Sequence, residues 1–154
     1  MTRIKDIQDA ITLLLHNKFP EYKIILEQYS EVTCPSLFVL VRKYDTKNYL
    51  NYQRKRIMVA ITYTDTEINV EECNEVNDKL DELFGLTLQV KDRFFHIEEK
   101  SFYLKDFVQI RFYIEFNDTY PYADEDNKDK IEEVNIETKY NVGKYKDVVP
   151  ENKN

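Results

Sequence analysis

The sequence predicts an α+β domain built as a two-layer sandwich, with a mainly antiparallel sheet and two helices packed on one of its faces. Two segments carry apolar residues at helical spacing, and strand-like runs follow each of them. The run at residues 108–116 alternates apolar and polar residues, which is typical of a strand with one face on a core. This order of elements favours helices stacked on one face of a sheet.

The first helix is predicted over residues 3–18. Its apolar face consists of Ile4, Ile7, Ile11, Leu14 and Leu15. Thr2 is the expected N-cap, and Asp6 lies in the first turns, where a negative charge stabilises the helix dipole. Pro20 ends the helix, because the residue before a proline avoids helical backbone angles.

Three strands are predicted next, at residues 22–28, 36–44 and 52–64. Residues 37–41 are apolar on both faces, which indicates a central strand. In the third strand one face carries Ile57, Val59, Ile61 and Tyr63, and the other carries Met58, Ala60 and Thr62.

The second helix is predicted over residues 70–84, with an apolar face of Cys73, Val76, Leu80, Leu83 and Phe84. Asn69 followed by Glu72 resembles a capping box, and Gly85 stands where a left-handed C-cap is expected. Further strands are predicted at residues 86–90, 94–98 and 108–116. In the last one Val108, Ile110, Phe112, Ile114 and Phe116 face the core, and Gln109, Arg111, Tyr113 and Glu115 face water or an interface.

The composition changes after Tyr120, and six of the ten residues 124–133 are acidic. We therefore predict a domain over residues 1–120, followed over residues 121–154 by an acidic linker and a C-terminal arm that a neighbouring subunit could hold.

Composition excludes several classes of protein. The chain has 154 residues, 42% of them hydrophobic, enough for a core without disulfides or metals. The net charge of −7 argues against a protein that coats nucleic acid and against an anionic membrane surface as partner. No apolar run approaches the roughly 18 residues of a membrane span, and the run 11–15 is short for a signal peptide. Cys34 and Cys73 have no metal or redox spacing, so we expect a soluble, cytoplasmic protein.

Residue patterns that support catalysis are scarce. With only 2 glycines, a phosphate-binding loop is close to excluded, and neither His16 nor His96 has a second metal ligand at a suitable spacing. One alternative is a metal-dependent nuclease that uses Asp92, Glu98 and Lys100, because two carboxylates can hold Mg²⁺ while a lysine steadies the attacking group. The pattern is short and common, so we predict a protein that is not an enzyme and has no catalytic residues, metal or cofactor.

The segment 42–56 is strongly basic in an acidic protein, with six cations against the single acid Asp45 and with tyrosines between them. We predict a long hairpin that contacts an acidic patch on a partner, for which residues 124–133 are the natural complement, or nucleic acid. The other interpretation is a solvated hairpin whose cations only discourage aggregation. The predicted subunit or partner interface consists of Arg42, Lys43, Tyr44, Lys47, Tyr49, Tyr52, Arg54, Lys55, Arg56, Arg111 and Tyr113.

Five segments follow one another in a distinctive order. The helix Ile4–Ile11 leads into Phe19–Ile24, the strands Cys34–Val39 and Arg56–Tyr63 come next, and then the Asn69-capped helix that ends near Gly85. Over residues 1–120 this layout resembles the tail terminator, or tail completion, proteins of tailed phages and of phage-tail-like bacteriocins.

The resemblance implies a non-enzymatic assembly protein without a cofactor. It would form a ring, expected to be a hexamer, on the last ring of the tail tube, stop the growth of tube and sheath, and face the head connector. DNA would at most pass through the ring, and no membrane would be involved. Assembly would occur in the bacterial cytoplasm, and the protein would then belong to the virion tail or tail-like particle. Another head–tail joining protein or a tail tube protein is the alternative within this class.

Overall fold

The computed structural model describes residues 1–26, 34–104 and 107–120, which form two helices and six strands. In chain order these are α1 (Ile4–Lys18), β1 (Lys23–Ile25), β2 (Ser36–Asn48), β3 (Tyr52–Thr64), α2 (Val70–Leu83), β4 (Thr87–Val90), β5 (Arg93–Leu104) and β6 (Val108–Thr119). The predicted α+β class is confirmed. The predicted linker and C-terminal arm at residues 121–154 lie outside the described residues, as does the end of the strand predicted at residues 22–28. No helix in the described part of the chain is long and apolar enough to cross a membrane.

The strands form one curled sheet in the order β1-β2-β3-β6-β5-β4. The β2–β3, β4–β5 and β5–β6 pairs are antiparallel, but β1 runs parallel to β2, so the sheet is mixed. Side-chain bonds join Arg54 to Glu115 and Gln109 to Thr62, so β3 and β6 run in opposite directions. The sequence pattern identified the strand-forming residues of β1 but not the direction in which they pair.

One apolar cluster joins the helices to the sheet. Helix α1 contributes Ile7, Ile11 and Leu15, and α2 contributes Cys73, Val76 and Leu80. The residues predicted to face the core on β3 (Ile57, Val59, Ile61 and Tyr63) and on β6 (Val108, Ile110, Phe112, Ile114 and Phe116) are all buried. Because each large apolar side chain removed from water stabilises the fold by about 1.5–3 kcal/mol, this cluster fixes the orientation of every strand in it.

The helix caps differ from the prediction in three details. The N-cap of α1 is Arg3 rather than Thr2, and the Arg3 backbone N–H donates to the Asp6 carboxylate at 3.0 Å. Asn69 caps α2, but its side chain accepts from the Glu71 N–H at 2.9 Å, so the pattern with Glu72 is not what caps this helix. The left-handed C-cap predicted at Gly85 is wrong, because this glycine has no positive φ and the helix ends at Phe84.

Three strands extend past their predicted ends. Strand β2 continues to Asn48, β5 to Leu104 and β6 to Thr119, although residues 45–48 and 101–104 are exposed. Strands β2 and β5 each have a register shift, between Lys43 and Asp45 in β2 and between Glu98 and Ser101 in β5. Such bulges bend a strand and re-aim its side chains.

Candidate subunit interface

Strands β2 and β3 continue beyond the buried part of the sheet as a basic hairpin, which we define as residues 42–56. They stay paired as far as Asn48 and Gln53, and the Tyr49 N–H donates to the Tyr52 carbonyl at 2.9 Å. The rings of these two tyrosines stack with centroids 4.6 Å apart, and Leu50 between them is 62% exposed. The tip is therefore ordered by its own contacts and presents an apolar side chain to solvent.

Three cations of the basic hairpin are free. Arg42, Lys43 and Lys47 lie on β2, are exposed, and form no ion pair with any residue that the structure describes. Because nothing neutralises them within the described chain, they are the charges of the hairpin that an acidic partner could reach.

The three cations on β3 are paired within the chain. Arg54 binds Glu115 of β6, and Arg56 binds Glu99 of β5 at 2.8 Å. Lys55 is buried and binds Asp118 of β6. These side chains join neighbouring strands, and Lys55 is not part of the accessible surface.

Arg56 is held between two of the predicted interface tyrosines. Its guanidinium carbon lies 4.5 Å from the ring centroid of Tyr113 and 5.5 Å from that of Tyr44. The two rings meet edge to face, with centroids 5.1 Å apart. Tyr44 stands at the β2 bulge, and Glu99, with φ of 50°, stands at the β5 bulge. Both irregularities thus supply side chains to one cluster, here called the Arg56 cluster (Tyr44, Arg56, Glu99 and Tyr113).

The Arg56 cluster crosses four adjacent strands at the base of the basic hairpin. Desolvation is the largest influence on Arg56 and opposes its charge, but the hydrogen bond to Glu99 and the charges of Glu99, Glu98 and Glu115 together outweigh it and raise the pKa of the guanidinium. A cation stacked on two aromatic faces gains about 0.5–2 kcal/mol, depending on its desolvation. The cluster therefore fixes the direction in which the basic hairpin leaves the sheet. Arg111, also on β6, remains exposed and binds only Gln109 among the described residues, at 3.2 Å.

Asp118 is a residue of this region that the sequence analysis missed. Its carboxylate accepts from Lys55 at 2.9 Å and from Arg93 at 2.7 Å. Burial opposes its ionisation, but the bonds from Arg93 and Lys55 outweigh this effect and lower the pKa of the carboxyl below its ordinary value. The burial of Asp118 could have been predicted from the sequence. The alternation of buried and exposed residues in β6 and β3, extended to residues 118 and 55, places both Asp118 and Lys55 on the buried face.

The nuclease candidates do not converge. Asp92 lies in the turn between β4 and β5, and Glu98 follows six residues later, about 20 Å away along an extended strand. Lys100 donates to Asp81 at 2.5 Å and to the Phe84 carbonyl at 3.0 Å, at the end of α2. Within the described ranges no group of three or more His, Cys, Asp or Glu residues could hold a metal ion.

A comparison with protein families identifies a relationship. A family model described as phage tail terminator protein matches residues 6–132 of the chain. No curated protein matches it. The matched range contains nearly all of α1 and every other described helix and strand, so the predicted family resemblance is confirmed.

Proposed function

The chain belongs to the phage tail terminator protein family, and we propose that it caps a phage tail, or a phage-tail-like particle, as an oligomeric ring. Membership of the family gives the protein a structural role in tail assembly, contacts with other tail components and a place in the virion tail. In our proposal the ring is a hexamer that assembles in the host cytoplasm and carries out no catalysis. It ends the growth of the tube and of any sheath, and it joins the tail to the next component, which in a phage is the head connector. DNA at most passes through the ring.

The observation that supports this proposal best is the exposed strand of the basic hairpin. From Arg42 to Asn48 every residue of β2 is exposed, although the strand stays paired with β3 over this length. In the described sheet β1 pairs with β2 only at residues 36–38, so β2 is an edge strand over residues 42–48, and an edge strand is a template for pairing with another chain. A neighbouring subunit that covers the hairpin would stabilise it, and a contact between two different surfaces of identical subunits can close into a ring.

We further propose that both helices lie on one face of the sheet, in a two-layer sandwich over residues 1–120. The opposite face, with Arg111 and Tyr113, would then be open to other tail components, and the arm at residues 121–154 would hold a neighbouring subunit. In support, the helices share one apolar cluster with the inward residues of β3 and β6, while Arg111 on the other face of β6 is exposed.

Charge reversal on the basic hairpin tests the ring. The variant Lys43→Glu/Lys47→Glu should lose the oligomer in size-exclusion chromatography with light scattering and the rings in negative-stain images, because it repels the acidic surface these lysines would meet. A matched control, Lys5→Glu/Lys23→Glu, changes the same charge at two exposed lysines outside the hairpin and should assemble normally. Both variants should keep the wild-type circular dichroism spectrum, which shows that the subunit still folds. Normal rings from the hairpin variant would contradict the proposed interface, and a wild-type chain that forms no ring alone or on tube ends would contradict the proposed function.

A further inference from the structure

An apolar groove lies between the start of α2 and the adjoining ends of β5 and β6. Its described lining consists of Ile68, Val70, Cys73, Asn74, Leu104, Phe107 and Val108, and its volume is about 290 Å³. Val70 is 71% exposed and Leu104 is 50% exposed. Single exposed apolar side chains are normal on a protein surface, but a group of them is typical of a binding surface.

The exposed side of α2 next to this groove is acidic. Glu71, Glu75 and Asp78 follow one another at helical spacing, so they form one stripe that leads away from the groove over about 10 Å. All three are exposed, and none forms an ion pair with a described residue. The stripe therefore carries three negative charges that the described chain leaves unneutralised.

The basic hairpin has the complementary features in the same order. Its tip carries the exposed Leu50. The free cations Lys47, Lys43 and Arg42 follow along β2, and Arg42 and Lys47 are about 16 Å apart along the strand. An apolar tip followed by positive charge thus matches an apolar groove followed by negative charge.

The hairpin cannot reach the groove of its own chain. Arg54, near the tip, bonds to Glu115, whereas Thr62, at the far end of β3, bonds to Gln109, beside the groove residue Val108. The tip and the groove thus lie at opposite ends of these strands, roughly 30 Å apart. A contact between them has to join two copies of the chain.

We propose that the basic hairpin of one subunit docks along α2 of the next, with Leu50 in the apolar groove and the acidic stripe of Glu71, Glu75 and Asp78 facing Lys47 and Arg42. These two cations share one face of the hairpin, because Lys47 pairs with Arg54 and Arg42 with Met58, on the face opposite to that of the buried Lys55 and Ile57. This inference rests on the proposed ring and supplies its junction. The partner is a second copy of this chain, because the complementary charges and apolar surfaces stand on one subunit. Each subunit uses its hairpin on one side and its groove on the other, which is the arrangement that a closed ring requires.

Two variants, each defective in one half of the junction, test this inference. Leu50→Asp places a charge at the tip, and Val70→Asp places a charge in the groove. Both positions are exposed, and an acid in the first turn of α2 favours the helix dipole, so both variants should fold with the wild-type circular dichroism spectrum. Each variant alone should be monomeric in size-exclusion chromatography with light scattering.

Mixed in equal amounts, the two variants should form a one-to-one dimer but no ring. The intact hairpin of Val70→Asp can enter the intact groove of Leu50→Asp, while the other junction brings two introduced carboxylates together. A charge swap gives a second test. Lys47→Glu alone should weaken the ring, and the double variant Lys47→Glu/Glu71→Lys should restore it, because opposite charges again face each other across the junction. The inference would be overturned if either single variant formed rings or if the mixture stayed monomeric. In either case the proposed ring would remain, but with a different junction between its subunits. A wild-type chain without rings would overturn both.

Discussion

The ammonium nitrogen of Lys55 lies 2.9 Å from a carboxylate oxygen of Asp118, and the two side chains are only 7% and 2% exposed. The other carboxylate oxygen accepts from Arg93 at 2.7 Å, and the backbone N–H of Thr2 donates to the first oxygen at 3.3 Å. One carboxylate therefore joins β3, β5 and β6 to the residues that precede α1, next to the base of the basic hairpin.

Replacing Asp118 by asparagine should lower the free energy of unfolding by about 3–5 kcal/mol, because it leaves Lys55 buried without a counter-charge. Urea titration followed by circular dichroism measures this change. The control is Glu82→Gln, which breaks an exposed pair with Lys18 and should cost at most about 1 kcal/mol. Equal losses in the two variants would show that burial adds nothing to the Lys55–Asp118 pair.

Asp118 should also make stability depend on pH in the acid range. Its pKa is lower in the folded chain than in the unfolded chain, so the unfolded state takes up a proton first as the pH falls. The contribution of Asp118 is complete above the unfolded pKa, near 4, and is lost progressively as the pH falls toward the folded value. Unfolding free energies measured at pH 6 and pH 3 should differ less in Asp118→Asn than in the wild type. An unchanged difference would contradict this assignment.

Local sequence patterns predicted much of the fold. The predicted residues 52–64 and 70–84 correspond to β3 and α2 almost residue for residue, because alternation and helical spacing report directly on a buried face. The end of β2 was missed, since exposed residues such as Lys47 carry no apolar signal. The parallel pairing of β1 was missed because strand direction depends on contacts between distant segments.

The chemistry of the candidate interface was less predictable than the fold. The basic composition of residues 42–56 was evident, but it did not separate the free Lys47 from the buried Lys55. Alternation along β3 places Lys55 on the buried face, but the identity of its partner depends on β6 lying beside β3, which brings Asp118 to Lys55 and Glu115 to Arg54. Pairs of residues about 60 positions apart in sequence leave no local pattern that shows which residues pair.

Replacing Gly85 by alanine should stabilise the protein by about 0.4–1 kcal/mol, since alanine restricts the unfolded chain more than glycine does. The backbone of Gly85 has no positive φ, and an added Cβ would meet only the Glu82 carbonyl oxygen, at 3.9 Å. Thermal unfolding measures this gain. The comparison variant is Asn69→Ala, which removes the N-cap of α2 and should lower the free energy of unfolding by about 1 kcal/mol. A destabilised Gly85→Ala variant would instead indicate the left-handed cap that the sequence predicted.

Replacing Arg56 by lysine should lower the free energy of unfolding by about 1–2 kcal/mol although the charge is kept. The guanidinium of Arg56 stacks on Tyr113 and Tyr44 and also binds Glu99, whereas a compact ammonium group cannot maintain these contacts together. Arg54→Lys is the matched control on the same strand, because Arg54 also pairs with one glutamate, Glu115, but is more exposed than Arg56 and is not held between two rings of the described chain. This control should cost less than about 1 kcal/mol. Urea titration of both variants gives the comparison. If Arg56→Lys is no less stable than Arg54→Lys, the stacking in the Arg56 cluster does not hold the base of the basic hairpin.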